Sequence, residues 1–306
     1  MPRKQRIEYP GAIYHVISRG NYRKELFLKK RTGEAFERCL FETVERCRWK
    51  LHAYIIMSNH YHLAVETPEP NLVVGMKWLQ STFAARFNRL RKERGHVFQG
   101  RYKSILIGDD RPLLGLIDYI HLNPVRAKVC DLSELKSYKL SSYPKYFKRT
   151  IRSVLCRETF LGILGLPDSL AGMRLYAEHL QLCEEADPVL RDELSQRYCR
   201  GWFIGSKEEK KALSKDLNEQ HPDVHWEGRD LKELQEMQWE GLVKSLLKDA
   251  ERTEKMIKSS KKGAPWKVEI AKQLRTQTTA GNGWIAKRLN MGHPSRVTNL
   301  IREVQN

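Results

Sequence analysis

From Ala12 to Arg19 the chain reads AIYHVISR, which puts Ile13, His15 and Ile17 on one side of an extended segment and Tyr14, Val16 and Ser18 on the other. This period of two predicts a β-strand. GNYRKELF follows as a loop, and Phe36, Leu40, Val44 and Cys47 then recur at helical spacing, predicting a helix over 32–48. Residues 51–57 read as a second strand, Ser58 and Asn59 supply a tight turn, and 60–67 read as a third strand. A long helix is predicted over 71–94, with Val74, Trp78, Phe83, Phe87 and Leu90 near one side. VFQGRYKSILI, 97–107, reads as a fourth strand with Gly100 inside it, and a helix over 111–123 is ended or kinked by Pro124.

The order β-α-β-β-α-β plus a helix is the split βαβ, ferredoxin-like pattern of an α+β fold. A Rossmann-type sheet is disfavoured, because no G-x-G-x-x-G follows the first strand and the 51–67 pair is too closely connected for a parallel crossover. Beyond residue 150 the β pattern stops. Residues 170–256 are charge-rich and helical, and SSKKGAP, 259–265, is the clearest linker. Helices are expected over 266–275, 283–290 and 295–304, the last with Val297, Leu300, Ile301 and Val304 on one face and Ser295 as its cap. NMGH between the last two suggests a helix-turn-helix that leaves Arg296, Thr298, Asn299 and Arg302 on the outer surface. The expected organisation is a domain over 1–150, a helical acidic connector over 151–258 and a helix-turn-helix-like DNA-binding segment over 259–306 in an all-α C-terminal region.

Charge sharpens this division. The net charge is +18, with 29 basic against 14 acidic residues over 1–150, 14 against 19 over 151–250, and 12 against 4 over 251–306. A basic front and a basic tail favour a nucleic-acid partner at two places. The 306 residues favour two domains over one. No apolar run is long enough to span a membrane, and the charged N-terminus has no apolar segment behind it, so neither a membrane partner nor a secretory signal is expected. The six cysteines are scattered without C-x-x-C pairing and read as reduced cytosolic thiols.

The candidate chemistry lies in IIMSNHYHLAVE, 55–66. Alternation puts His60, His62, Ala64 and Glu66 on one face of the strand and Tyr61, Leu63 and Val65 on the core face. Two imidazoles at i and i+2 can share one divalent cation, although such pairs are more often structural. Tyr119 and Asn123 stand one turn apart on a helix, where an amide oxygen can join a cation site and a phenol can act as nucleophile. On spacing alone, Tyr119 packs in a core and Asn123 caps the helix before Pro124 equally well.

Four stretches stand together in order: HVISRGNYRKELF (15–27), AYIIMSNHYHLAVE (53–66), VFQGRYKSILI (97–107) and YIHLNPVRAKV (119–129). Together they resemble the single-tyrosine HUH transposases of insertion-sequence type, most closely the REP-associated tyrosine transposases. The resemblance covers roughly residues 5–150 and makes 1–150 an HUH transposase/nuclease catalytic domain. It implies that His60, His62 and Asn123 bind Mg²⁺ or Mn²⁺ and that Tyr119 is catalytic. Tyr61 stands where the family usually has a bulky apolar residue, and Asn123 stands where insertion-sequence members often have Gln. The implied activity is nicking and rejoining of single-stranded DNA at hairpin-associated sites through a 5′-phosphotyrosine, without ATP.

Basic and aromatic side chains suit such a substrate, since single strands bind in cationic grooves and stack on ring faces. The candidates are Arg19, Gly20, Asn21 and Arg23 in the first loop and Phe98, Arg101, Tyr102 and Lys103 in the fourth strand. Arg296, Asn299 and Arg302 are candidates for duplex DNA. The resemblance implies a cytoplasmic, nucleoid-associated bacterial protein and leaves room for a homodimer. Two other readings compete: a host-retained DNA-binding regulator of hairpin or repeat sites with little cleavage activity, and a metal hydrolase using His60 and His62 to activate water.

Overall fold

The structure, a computed structural model, describes residues 7–28, 30–148, 154–186, 196–206, 208–213, 228–278 and 280–303. The alternating and helical patterns form β1 (Ala12–Arg19), α1 (Lys30–Cys47), β2 (Lys50–Ile56), β3 (His60–Thr67), α2 (Leu72–Arg91), β4 (Lys103–Ile107) and α3 (Asp110–Arg126). The sheet order is β2-β3-β1-β4-β5, with a short β5 at Phe203–Ile204. The first four strands pair antiparallel, as the split βαβ topology requires, and β5 adds in parallel beside β4.

The two faces of the sheet bury different chemistry. On one, Tyr61 packs 4.5 Å from Phe36 of α1 and 6.0 Å from Phe98, ring centre to ring centre, and Phe27 and Phe83 complete the cluster. Gln80 of α2 donates to both the Tyr61 and the Ser18 hydroxyls, which satisfies those groups inside an apolar layer. On the other face lies α3, against β2 and β3, covered in turn by α5 (Arg157–Ile163) and α6 (Leu170–Glu185); α4 is the short turn Tyr143–Tyr146.

Buried polar contacts hold α3 between these layers. His121 is fully buried and bonds the hydroxyls of Tyr176 and Ser142, each at 2.9 Å. Tyr176 in turn donates to Asp118, and Ser142 both accepts from the Tyr54 amide and donates to its carbonyl. Such a network fixes a helix in rotation and height more sharply than apolar contact does, because every displaced partner leaves a buried group unpaired.

Several expectations are corrected. The fourth strand starts at Lys103, not 97: Gly100 has φ +62, and Phe98 makes only an isolated bridge to Gly20. Pro124 sits inside the last turn of α3, which continues to Arg126, since a proline so near the end forfeits a single helical hydrogen bond. The boundary expected at 150 is not a division in the packing. Leu155 bridges to Leu51, Phe160 and Leu161 are buried, and one compact unit spans Arg6–Leu217. Of the helical reading over 170–256, residues 187–195 and 214–227 lie outside the described residues, and β5 interrupts it.

The second compact unit carries α7 (Gly228–Asp249), α8 (Glu254–Ser259), α9 (Pro265–Gln277), α10 (Asn282–Arg288) and α11 (Pro294–Glu303). Val243, Leu247, Ile257, Leu274, Ile285, Val297 and Ile301 form one core. The segment expected as a linker is a turn within this core, with the Lys267 amine donating to the Ile257 and Ser260 carbonyls. Arg296, Asn299 and Arg302 are exposed. Thr298, expected beside them, instead accepts from Asn282 and ties α10 to α11. Ser295 is inside the first turn and not the cap; its amide and hydroxyl both meet the His293 ring.

The aromatic layer makes a graded stability prediction. Phe36→Ala leaves a cavity among Tyr61, Phe27 and Phe83 and destabilises by roughly 3–5 kcal/mol. Val74→Ala, at an exposed position on α2, changes stability by no more than about 0.5 kcal/mol. Urea unfolding of the two variants checks the ranking.

Candidate active site

The register of β1 on β3 assembles the site. Ile17 lies opposite His62, Arg19 opposite His60 and His15 opposite Ala64, so His15 is the diagonal neighbour of His62 on the same face. The rings of His60 and His62 are 5.0 Å apart, as are those of His15 and His62. His15 Nε2 is 2.8 Å from His62 Nδ1, and His15 Nδ1 is 2.7 Å from the Tyr198 carbonyl oxygen. His60 Nδ1 is 2.7 Å from Asn59 Oδ1. Among the described residues, Nε2 of His60 and Nε2 of His62 make no hydrogen bond.

Burial keeps these imidazoles neutral. Desolvation, with a contribution from Lys103, lowers His15 to about 3. Desolvation and the facing Arg19 lower His60 to about 4. His62 is lowered further, by desolvation first and then by its histidine neighbours and Arg19. A neutral imidazole with a bare Nε2 is the form that binds a metal. The donor set of His60 and His62 therefore fits a divalent cation. Glu66, on the same face, is taken up by His52 and Lys50, and these contacts draw its carboxyl down to about 2.

Helix α3 brings Tyr119 to the histidines, its ring centre 5.5 Å from His62 and 6.0 Å from His15. Its hydroxyl lies 3.2 Å from Cys199 Sγ, and its ring stacks on Tyr198 at 5.5 Å. Burial, followed by Cys199, raises the Tyr119 hydroxyl above the ordinary tyrosine range; Arg126 and a hydrogen bond with Asn123 pull the other way. Asn123, one helical turn further along α3, is nearly buried.

The expected DNA contacts divide sharply. Arg19, Arg23 and Arg101 are exposed, and Asn21 is half-buried with its amide donating to the His96 carbonyl. Phe98 and Tyr102 are each 8% exposed, so neither offers a free ring face for stacking. Lys103 is committed to the Cys199 carbonyl at 3.0 Å. Gly20 is buried, and a Cβ there would stand 2.8 Å from the Lys24 carbonyl oxygen, so close backbone packing requires the glycine. Tyr22, which sequence reasoning passed over, is 83% exposed beside Arg23, both in the left-handed region.

Sequence reasoning also missed His15, Asn59, Tyr198 and Cys199. His15 carried a signal, being a polar residue between Ile13 and Ile17 on one strand face. Tyr198 and Cys199 carried none, because they arrive from a distant segment. A second cluster, Asp118, His179 and Cys183, places one potential ligand atom from each residue within 4.8 Å of the others. Its geometry is that of an ion pair: His179 Nε2 is 2.8 Å from Asp118 Oδ2, and that contact raises His179 to about 10, so the ring is protonated.

Comparison with known proteins follows this geometry. The family model described as IS200-like transposase matches residues 9–123. A Haemophilus influenzae protein named as a REP-associated tyrosine transposase is 26% identical over 121 residues, 36% of this chain and 68% of the relative. A solved REP-associated tyrosine transposase bound to a REP hairpin covers 50% of this chain and 90% of its own, at 15% identity and a TM-score of 0.41. A Deinococcus radiodurans protein described as a transposase covers 42% and 92%, at 17% identity and a TM-score of 0.29. The resemblance read from the motifs is borne out, and residues 9–123 carry the sequence signature of IS200-like transposases.

The His179–Asp118 pair yields a pH prediction. Because the folded state raises His179, its stabilisation is present in full below pH about 6.5 and is lost as pH rises through about 10. Thermal melts of wild type and His179→Gln are therefore expected to differ most below pH 6.5 and to converge towards pH 10.

Proposed function

We propose that this protein is a single-tyrosine DNA endonuclease and strand transferase that nicks and rejoins single-stranded DNA at hairpin-associated sites. The observation that supports it most is the Tyr119 ring standing 5.5 Å from His62. Those two residues lie on a helix and a strand separated by more than fifty positions of sequence. Tyr119 shares its buried face with the neutral imidazoles of His62 and His15, an arrangement that suits a nucleophile beside a metal site.

His60 and His62 would hold a divalent cation, Mg²⁺ or Mn²⁺, with Asn123 as a third ligand. When bound, the cation supplies Lewis-acid polarisation of the scissile phosphate and charge relief for the leaving oxygen. The chain's own residues do the rest. The Tyr119 oxygen attacks phosphorus, the P–O3′ bond breaks, the phenolic proton leaves, and the departing 3′ oxygen takes up a proton. This leaves a 5′-phosphotyrosine and a free 3′-OH. The reverse attack by a 3′-OH reseals a strand without ATP, because the phosphodiester energy is stored in the tyrosyl ester. Arg19, Asn21, Arg23 and Arg101 would carry the strand's phosphates, and the exposed Tyr22 offers a stacking face.

A second DNA contact is supported by the C-terminal unit, where Arg296, Asn299 and Arg302 lie exposed on α11. Duplex DNA is the partner that a basic helix face suits.

Incubation with Mn²⁺ and a labelled hairpin oligonucleotide is expected to trap a covalent protein–DNA adduct. Tyr119→Phe lowers adduct formation by at least ~10³-fold, as loss of a nucleophile does. His60→Ala, His62→Ala and added EDTA lower it towards background. Cleaved product with no protein-linked DNA would identify a water-activating hydrolase, and binding without cleavage a regulator.

A further inference from the structure

We propose that His15 is a positioning residue for His62: held by the Tyr198 backbone carbonyl, it fixes His62 in the tautomer that leaves Nε2 bare for the cation. This role rests on the reading that His62 is a metal ligand.

Hydrogen-bond direction carries the argument. A carbonyl oxygen only accepts, so His15 Nδ1, 2.7 Å from the Tyr198 oxygen, bears the hydrogen. A neutral imidazole has one N–H, so His15 Nε2 is then bare and can only accept. His62 Nδ1, 2.8 Å away, must donate to it, and His62 Nε2 is left as a lone pair. The alternative, an imidazolium at His15, would place a charge at a site with no solvent exposure whose hydrogen-bond partners are a carbonyl and another imidazole, with no counter-ion among them.

Without this relay His62 would exchange between two tautomers, one of which carries a hydrogen on Nε2 and cannot bind a cation through it. His60 has a parallel arrangement in its contact with Asn59 Oδ1 at 2.7 Å. The two ligands are thus oriented through Nδ1 by different means, an adjacent side chain for one and a diagonal strand neighbour for the other. The terminal acceptor, Tyr198, lies outside residues 9–123, so the site's outer shell is completed by a segment beyond the IS200-like region. That segment is anchored in turn by Lys103 donating to the Cys199 carbonyl at 3.0 Å.

The test uses the full chain with ¹⁵N-labelled histidine. Long-range ¹H–¹⁵N NMR of the metal-free protein is expected to show His62 as the Nδ1–H tautomer. His15→Phe should give mixed tautomers at His62 and Mn²⁺ binding, read by EPR titration, weaker by roughly 10–100-fold. His15→Gln, whose amide can donate to Tyr198 and accept from His62, should retain most of the affinity. An Nε2–H tautomer at His62 in wild type overturns the proposal, as does a folded His15→Phe that binds Mn²⁺ like wild type. Wild-type protein that binds no Mn²⁺ overturns the metal reading itself, whichever tautomer His62 adopts. The wild-type NMR measurement needs no variant, so it decides even if His15→Phe fails to fold.

Discussion

Antiparallel pairing of β1 with β3, in the register that sets Ile17 opposite His62, is the constraint on which the rest depends. A slip of one residue would turn His60 and His62 into the aromatic layer and drive Tyr61 out beneath α3. Tyr61, wedged among Phe36, Phe27 and Phe98 with its hydroxyl taken by Gln80, is what makes the slip prohibitive. The residue between the two histidines is therefore not idle. It is the apolar anchor that holds them on the opposite face, and a phenol serves because α2 supplies a donor for it.

Burial then acts on the site in opposite senses. It strips protons from His15, His60 and His62, leaving imidazoles ready to act as ligands, and it makes the Tyr119 hydroxyl harder to ionise. On the proposed reading, the same desolvation prepares His60 and His62 as ligands and handicaps Tyr119 as a nucleophile. In the proposed mechanism a divalent cation bound beside a phosphodiester would supply the charge that offsets this handicap. The rigid seating of α3, through His121, Tyr176, Asp118 and Ser142, keeps Tyr119 where that charge would act.

Periodicity alone placed the strands bearing the histidines and the helix bearing Tyr119, because amphipathic alternation is a local property of the chain. It failed where geometry overrode alternation: Phe98 and Tyr102 resemble a stacking surface in sequence but are buried, and Lys103 is spent on a carbonyl. The packing runs on past residue 150 for a related reason. A composition shift marks the end of β pattern, not the end of a core, and Phe160 and Tyr176 go on packing against the α3 layer.

The sequence by itself determined the order of elements, the face on which His60 and His62 lie, and the inward aim of Tyr61, since each follows from a period of two or of 3.6. It also carried the family resemblance that the IS200-like match over residues 9–123 bears out. Only the tertiary structure decided that Tyr119 meets His62, that His15 bonds the second histidine, and that Tyr198 and Cys199 meet His15 and Tyr119. Those contacts join residues up to 183 positions apart. No local pattern encodes them, because they exist only once sheet register and helix packing have brought the segments together.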